Sequence, residues 1–207
     1  MQTSTFVKTL LCAVFFIAAS HASAKTAHLT LHSQAGEYVG GGKDYDITYT
    51  PDNSLFFFAD VYNALPSGAP TSLIFSLGIG QDTPFALLQF STHGLGLPMQ
   101  VGAYNNARRA ADALPLHPGI DISFAHRGAS LITGNFQVTD FKYSPTLGIQ
   151  SFSASFEQRS GANQAALFGT FTYNDMPPAV PEPETYAMLF AGLGVIAALK
   201  RRQAKKV

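Results

Sequence analysis

The sequence predicts an all-β body, an antiparallel β-sandwich or flattened barrel, with an N-terminal signal helix and a C-terminal membrane-anchoring helix. Three observations carry that expectation. Apolar and polar residues alternate at period two through much of residues 27–174, prolines and glycines interrupt the alternation at short intervals, and the longest apolar runs lie at the two ends. At 207 residues the chain has room for one ordinary domain of roughly 100–200 residues plus processing segments.

The last three strands are the best defined. In residues 134–143, Phe136 and Val138 face one side before the pattern shifts near Asp140, which predicts a β-bulge. Residues 149–157 place Phe152, Ala154 and Phe156 on one face, and residues 165–173 place Leu167, Gly169, Phe171 and Tyr173 on one face. Earlier strands are expected at 27–33, 44–50, 55–62, 73–78, 85–91 and 120–125. Pro66, Pro70, Pro84, Pro98, Pro115, Pro118 and Pro145 fall between these segments, as they should, because proline lacks the amide hydrogen that a central strand needs. Only residues 105–114 have helix-forming content, and ten residues make a marginal helix at best.

Composition narrows the function. The chain is 46% hydrophobic and 13% charged, about half the usual charged fraction of roughly 25%, which argues against charge-driven disorder. Formal charge is zero overall, but residues 25–176 hold 7 basic and 11 acidic side chains, 7 − 11 = −4. A body with that excess has no basic stripe for nucleic acid. Cys12 is the only cysteine and lies in the leader, so the mature chain has no thiol for a disulfide or a metal.

The ends read as processing signals. Lys8, the apolar run from Thr9 to Ala19, and Ala22-Ser23-Ala24 form a charged region, an apolar region and a small-residue cleavage site. Passage through the Sec translocon and cutting by signal peptidase after Ala24 are expected. The run is shorter than the ~20 residues that span a bilayer. At the other end Val180-Pro181-Glu182-Pro183 precedes an apolar stretch, residues 186–199, which is closed by Lys200, Arg201 and Arg202. A stiff spacer, an apolar helix and a basic end make a membrane stop whose positive side stays cytoplasmic. Fourteen residues give about 21 Å of helix against a hydrocarbon core of ~30 Å, which suits a temporary anchor. The expected division is a signal peptide (1–24), a β-sandwich domain (25–176), a Pro-rich linker (177–185), a transmembrane segment (186–199) and a basic cytoplasmic tail (200–207).

The tail resembles the PEP-CTERM sorting signal of bacteria, read by the membrane protease exosortase. That resemblance implies an inner-membrane intermediate, processing near Pro181-Glu182-Pro183, and final residence at the cell surface or in the extracellular matrix of a Gram-negative, polysaccharide-secreting cell. The body has its own resemblance. Gly36-Glu37-Tyr38-Val39-Gly40-Gly41-Gly42-Lys43, Val101-Gly102-Ala103-Tyr104-Asn105-Asn106, Arg127-Gly128-Ala129-Ser130 and Phe156-Glu157-Gln158 look like parts of a secreted bacterial β-domain of unassigned function. Relatives of that type carry cysteines where this chain has Ala129 and Ser160, so the resemblance implies that these two are neighbours across adjacent strands.

Chemistry is sparse. His28 and His32 are four apart, but in a strand that spacing separates them by about 13 Å, too far to clasp one ion. Asp44 and Asp46 beside Gly40-Gly41-Gly42 invite a calcium site, although a solvated strand face is the commoner outcome. His93, His117 and His126 could meet Asp112 or Asp121 only if the fold gathered them. Arg127 is expected against Asp121 or Glu157. Aromatics are the best functional hint, with Phe57, Tyr38 and Tyr45 as the candidate ligand surface. The reading is therefore a non-catalytic β-domain without cofactor or metal, associated with exopolysaccharide. The alternative is an extracellular polysaccharide-acting hydrolase or lyase with a loop-borne site.

Overall fold

The computed structural model describes residues 25–79, 83–112, 114–161 and 165–175, together with residues 190, 192 and 193. Ser23–Met176 form one compact unit. The signal-cleavage residues Ala22 and Ala24, the sorting residues Val180 to Pro183 and the membrane-stop residues Lys200, Arg201 and Arg202 lie outside the described residues. Of the expected anchoring helix, Phe190, Gly192 and Leu193 are described and helical. Among the described residues no helix is long and apolar enough to cross a membrane.

The body has ten strands: β1 (Thr26–Ser33), β2 (Asp44–Tyr49), β3 (Phe56–Ala64), β4 (Pro70–Gly78), β5 (Ala86–Ser91), β6 (Gly102–Arg109), β7 (Gly119–Phe124), β8 (Ile132–Ser144), β9 (Gly148–Ser160) and β10 (Ala166–Asn174). They form one sheet in the order β2-β1-β10-β9-β8-β6-β7-β5-β4-β3, nearly closed into a barrel. The all-β expectation holds. The fully antiparallel one does not, because β6 and β7 run parallel through Arg108↔Gly119 and Arg109↔Ile120.

β6 is the strand the sequence conceals. Instead of a helix at 105–114, the chain continues as strand to Arg109 and then makes a short 3-10 turn, Ala110–Asp112. The reason is a bulge. Asn106 takes a left-handed φ of 58°, the register against β8 slips between Tyr104 and Ala107, and Ala107 is thereby returned to the core. The slip erases period two from the sequence. The bulge expected near Asp140 is present between Val138 and Asp140. β4 starts earlier than expected, on Pro70, a first-residue position where the absent amide hydrogen is tolerated.

The core is built on phenylalanine. Phe75 of β4 is fully buried, with ring centroids 5.2 Å from Phe152, 4.8 Å from Phe171 and 5.4 Å from Tyr173. Phe90 of β5 meets Phe136, Phe152 and Phe156 at 5.4, 5.0 and 6.2 Å. Burying one such ring contributes roughly 1.5–3 kcal/mol. Burial also raises the hydroxyl pKa of Tyr49 and Tyr173 above the ordinary phenol value, with the nearby Asp175 adding to the shift at Tyr173.

Two local devices fix the rest. Where β6 leaves β7, the fully buried Gln158 of β9 takes its place: the Ile122 amide donates to Gln158 Oε1 at 2.8 Å and Gln158 Nε2 donates to the Ile122 carbonyl at 3.0 Å. β7 ends in a two-residue turn, Ala125-His126, closed by the Phe124↔Arg127 bridge, and both turn residues have positive φ, 49° and 64°. Turns of that kind favour Asn-Gly, because ordinary side chains are strained there. The pair of changes Ala125→Asn and His126→Gly is expected to raise the unfolding free energy by about 1 kcal/mol. A thermal melt of the double variant below that of the parent would contradict this account of the turn.

Candidate functional site: two outer faces of the sheet

The first face is β3. Its residues alternate so that Phe57, Ala59 and Val61 pack against the core, while Phe56, Phe58 and Tyr62 are exposed by 47%, 49% and 67%. Asp60 sets this parity, since a carboxylate between Phe58 and Tyr62 must face water. The expectation that Phe57 belongs to a ligand surface is therefore corrected: its ring lies 6.0 Å from that of Tyr173, on the inner side. Phe56 and Phe58 take the outer role. The row continues sideways, with Phe85 edge-on to Phe56 at 6.5 Å and the exposed His126 stacked on Phe85 at 6.0 Å. Phe56 to Tyr62 spans about 20 Å at the rise of an extended strand.

The other two expected surface aromatics do not join it. Tyr38 is exposed in the loop after β1. Tyr45 is half-buried, its ring 4.5 Å from Phe124 and its hydroxyl donating to the Gly40 carbonyl at 3.2 Å. Among the described residues no ring contact links any two of Phe57, Tyr38 and Tyr45.

The second face is an open trough of about 570 Å³ across the outer sides of β1, β10, β9, β8 and β6. It combines the hydroxyls of Thr30, Thr170 and Ser155 with the amides of Asn135 and Gln137 and the ring of Phe168. Thr30 and Thr170 bond to each other through their hydroxyls at 2.6 Å. Five neighbouring strands at ~4.8 Å spacing make the trough about 19 Å across. Residue by residue it resembles any solvated strand face, and only the strand order assembles it.

Its ionisable groups are both engaged. His32, also on the trough, is bonded through Nδ1 to Asp44 at 2.7 Å, while Glu157 accepts from Arg159 Nε at 2.8 Å and lies 2.6 Å from Nη2. Further along, His28 Nε2 meets Asp46 at 2.6 Å. His28 and His32, read as too far apart to share an ion, and Asp44 and Asp46, weighed as a calcium site against a solvated strand face, thus form two cross-strand His–Asp pairs on an open face. Among the described residues no group of three such ligands converges.

The residues of the alternative, catalytic reading each have a partner outside that set. His93 Nδ1 is 3.4 Å from Thr71 Oγ1, His117 Nδ1 is 3.0 Å from the Asn106 carbonyl, and His126 faces Phe85. Arg109 binds Asp121 at 3.1 Å and approaches Asp112 at 3.7 Å. Burial raises the pKa of Asp121, opposed by the Arg109 charge and hydrogen bond, with Asp112 pushing it further up.

Arg127 is a second correction, because Arg109 has taken Asp121 and Arg159 has taken Glu157. Its Nε instead donates to the Val39 carbonyl at 2.9 Å and its guanidinium covers Gly41. Gly41, at φ 68°, leaves room that any Cβ would close, 2.7 Å from Nη1. Glu37, almost fully buried, caps the same loop, accepting from Ser33 Oγ at 2.8 Å, Val39 N at 2.8 Å and Gly40 N at 2.6 Å. Of the implied neighbours Ala129 and Ser160, the first lies in the loop before β8 and the second has Ile132 as its register partner. Ser160 Oγ is buried without a hydrogen-bond partner.

An all-β body followed by a processing tail defines the class of this protein. Residues 179–203 match the family model of the PEP-CTERM protein-sorting motif. That motif implies an exported protein, processed by exosortase and sorted to the cell surface. No curated protein and no solved structure matches the chain.

Proposed function

We propose that the exported body is a non-catalytic module that associates with exopolysaccharide once exosortase has delivered it. The observation that carries this reading is the outward row Phe56, Phe58 and Tyr62 on β3, extended by Phe85 and His126. Exposed aromatic rings cost free energy in water, and pyranose rings have apolar faces that stack on them. A binding role over a hydrolytic or lyase one is supported by the partners of His93, His117 and His126, which among the described residues are Thr71, the Asn106 carbonyl and Phe85, while Asp112 and Asp121 face Arg109. Sorting to the cell surface supports this reading, because a surface module is within reach of secreted sugar polymers.

The test is co-sedimentation of the surface-recovered protein with exopolysaccharide from its own host, alongside an assay for new reducing or unsaturated chain ends. Changing Phe56, Phe58 and Tyr62 together to alanine is expected to weaken retention at least about tenfold, the equivalent of 1.4 kcal/mol. Chain ends should not accumulate. Retention unaffected by the triple change would overturn the assignment to β3, and steady product release would replace it with the enzymatic reading.

A further inference from the structure

Resting on that reading, we propose that the trough on β1, β10, β9, β8 and β6 is a second glycan-binding face. It takes an uncharged polysaccharide, so that one body bridges two sugar chains. Its chemistry is that of a sugar site: hydroxyls from Thr30, Thr170 and Ser155 and amides from Asn135 and Gln137 offer both donors and acceptors, beside the ring of Phe168, on which His32 stacks. Sugar hydroxyls need that mixture, and a trough about 19 Å wide accepts an extended segment of polymer without enclosing a chain end.

Charge sets the class of polymer. His32 and Glu157 are the ionisable side chains lining the trough among the described residues, and each is already engaged, His32 by a hydrogen bond with Asp44 and Glu157 by an ion pair with Arg159. No uncommitted cation is offered to a uronate or sulfate, and residues 25–176 carry four more acidic than basic groups. A polyanion would be repelled, and a neutral chain would not.

The bridging follows from the core. Phe57 of β3 packs inward on Tyr173 of β10, and Phe75 of β4 packs on Phe171 of β10 and Phe152 of β9. Inner sides that face one another leave the outer sides pointing apart. The β3 aromatics and the trough therefore lie on opposed faces, and the same chain segment cannot stack on both.

The experiment uses protein recovered from the host surface, in native gels containing neutral galactomannan, neutral glucan or polygalacturonate, with low-shear viscosity measured on the same mixtures. The trough variant is Phe168→Ala with Gln137→Ala, the β3 variant is Phe56→Ala with Phe58→Ala, and Thr170→Tyr, which fills the trough, replaces the first if that variant melts early. At least one neutral polymer should retard the parent protein more than polygalacturonate does. Each variant should keep part of that retardation, and only the parent should thicken the solution, because avidity and cross-linking need both faces. Retardation and viscosity unchanged by the trough variants, or a preference for polygalacturonate, would overturn the inference while leaving the β3 reading in place. If no polymer retards the parent, the inference falls, and the β3 reading stands or falls on the host exopolysaccharide.

Discussion

Replacing Gln158 with leucine is expected to destabilise the body by roughly 3 kcal/mol, because it strips two buried backbone groups of their partners at about 1–3 kcal/mol each. The side chain is fully buried and holds both the amide and the carbonyl of Ile122. Those groups face the place where β6 has ended, since its pairing with β7 stops at Arg109↔Ile120. Leucine fills a similar volume, so the loss reports the hydrogen bonds rather than a cavity. For a body of this size the melting temperature should fall by about 10 °C. A loss below about 1 kcal/mol would show that the Ile122 groups find other partners when the amide is removed.

The second large effect is expected at Glu37. Its carboxylate gathers a side-chain hydroxyl and two backbone amides into the loop between β1 and β2. The loop is otherwise held by Arg127 on Val39 and by the close approach of Gly40 to Ser33, where an added Cβ would lie 2.4 Å from the serine Cβ. Glu37→Ala should cost about 3–4 kcal/mol, since charge-assisted bonds are worth more than neutral ones and the amides are left buried. The readout is chemical denaturation, together with faster amide exchange at Val39 and Gly40. Unchanged exchange at these two amides would contradict the capping role.

These two side chains also mark the limit of what the sequence makes legible. Strands with one buried face could be read directly: β1, β2, β8, β9 and β10 carry period two in plain view, and even the bulge at Asp140 disturbs it visibly. β6 could not be read, because a left-handed Asn106 breaks the period where a helix-like composition begins. Gln158 and Glu37 look like ordinary surface residues until the strand order brings Ile122 to the first and the loop folds the Val39 and Gly40 amides around the second. In β3 the error was one of parity: three consecutive phenylalanines attract attention to all of them, whereas Asp60 two positions on decides which face is wet. The trough, drawn from the consecutive strands β8, β9 and β10 and from β1 and β6 elsewhere in the sequence, has no local signature at all.

The sorting tail was the opposite case. Its order of Pro-Glu-Pro, apolar run and basic end is carried by adjacent residues, needs no tertiary contact, and coincides with the matched motif at 179–203. That delivery signal follows a β-domain with an outward row of aromatics on β3 and a polar trough on its other face.

Mass spectrometry of the protein recovered from its native cell surface tests the delivery claim most directly. The expected species begins after Ala24 and lacks the apolar and basic segments that follow Pro181-Glu182-Pro183. Recovery of the intact 207-residue chain from inside the cell, with both ends untrimmed, would contradict it.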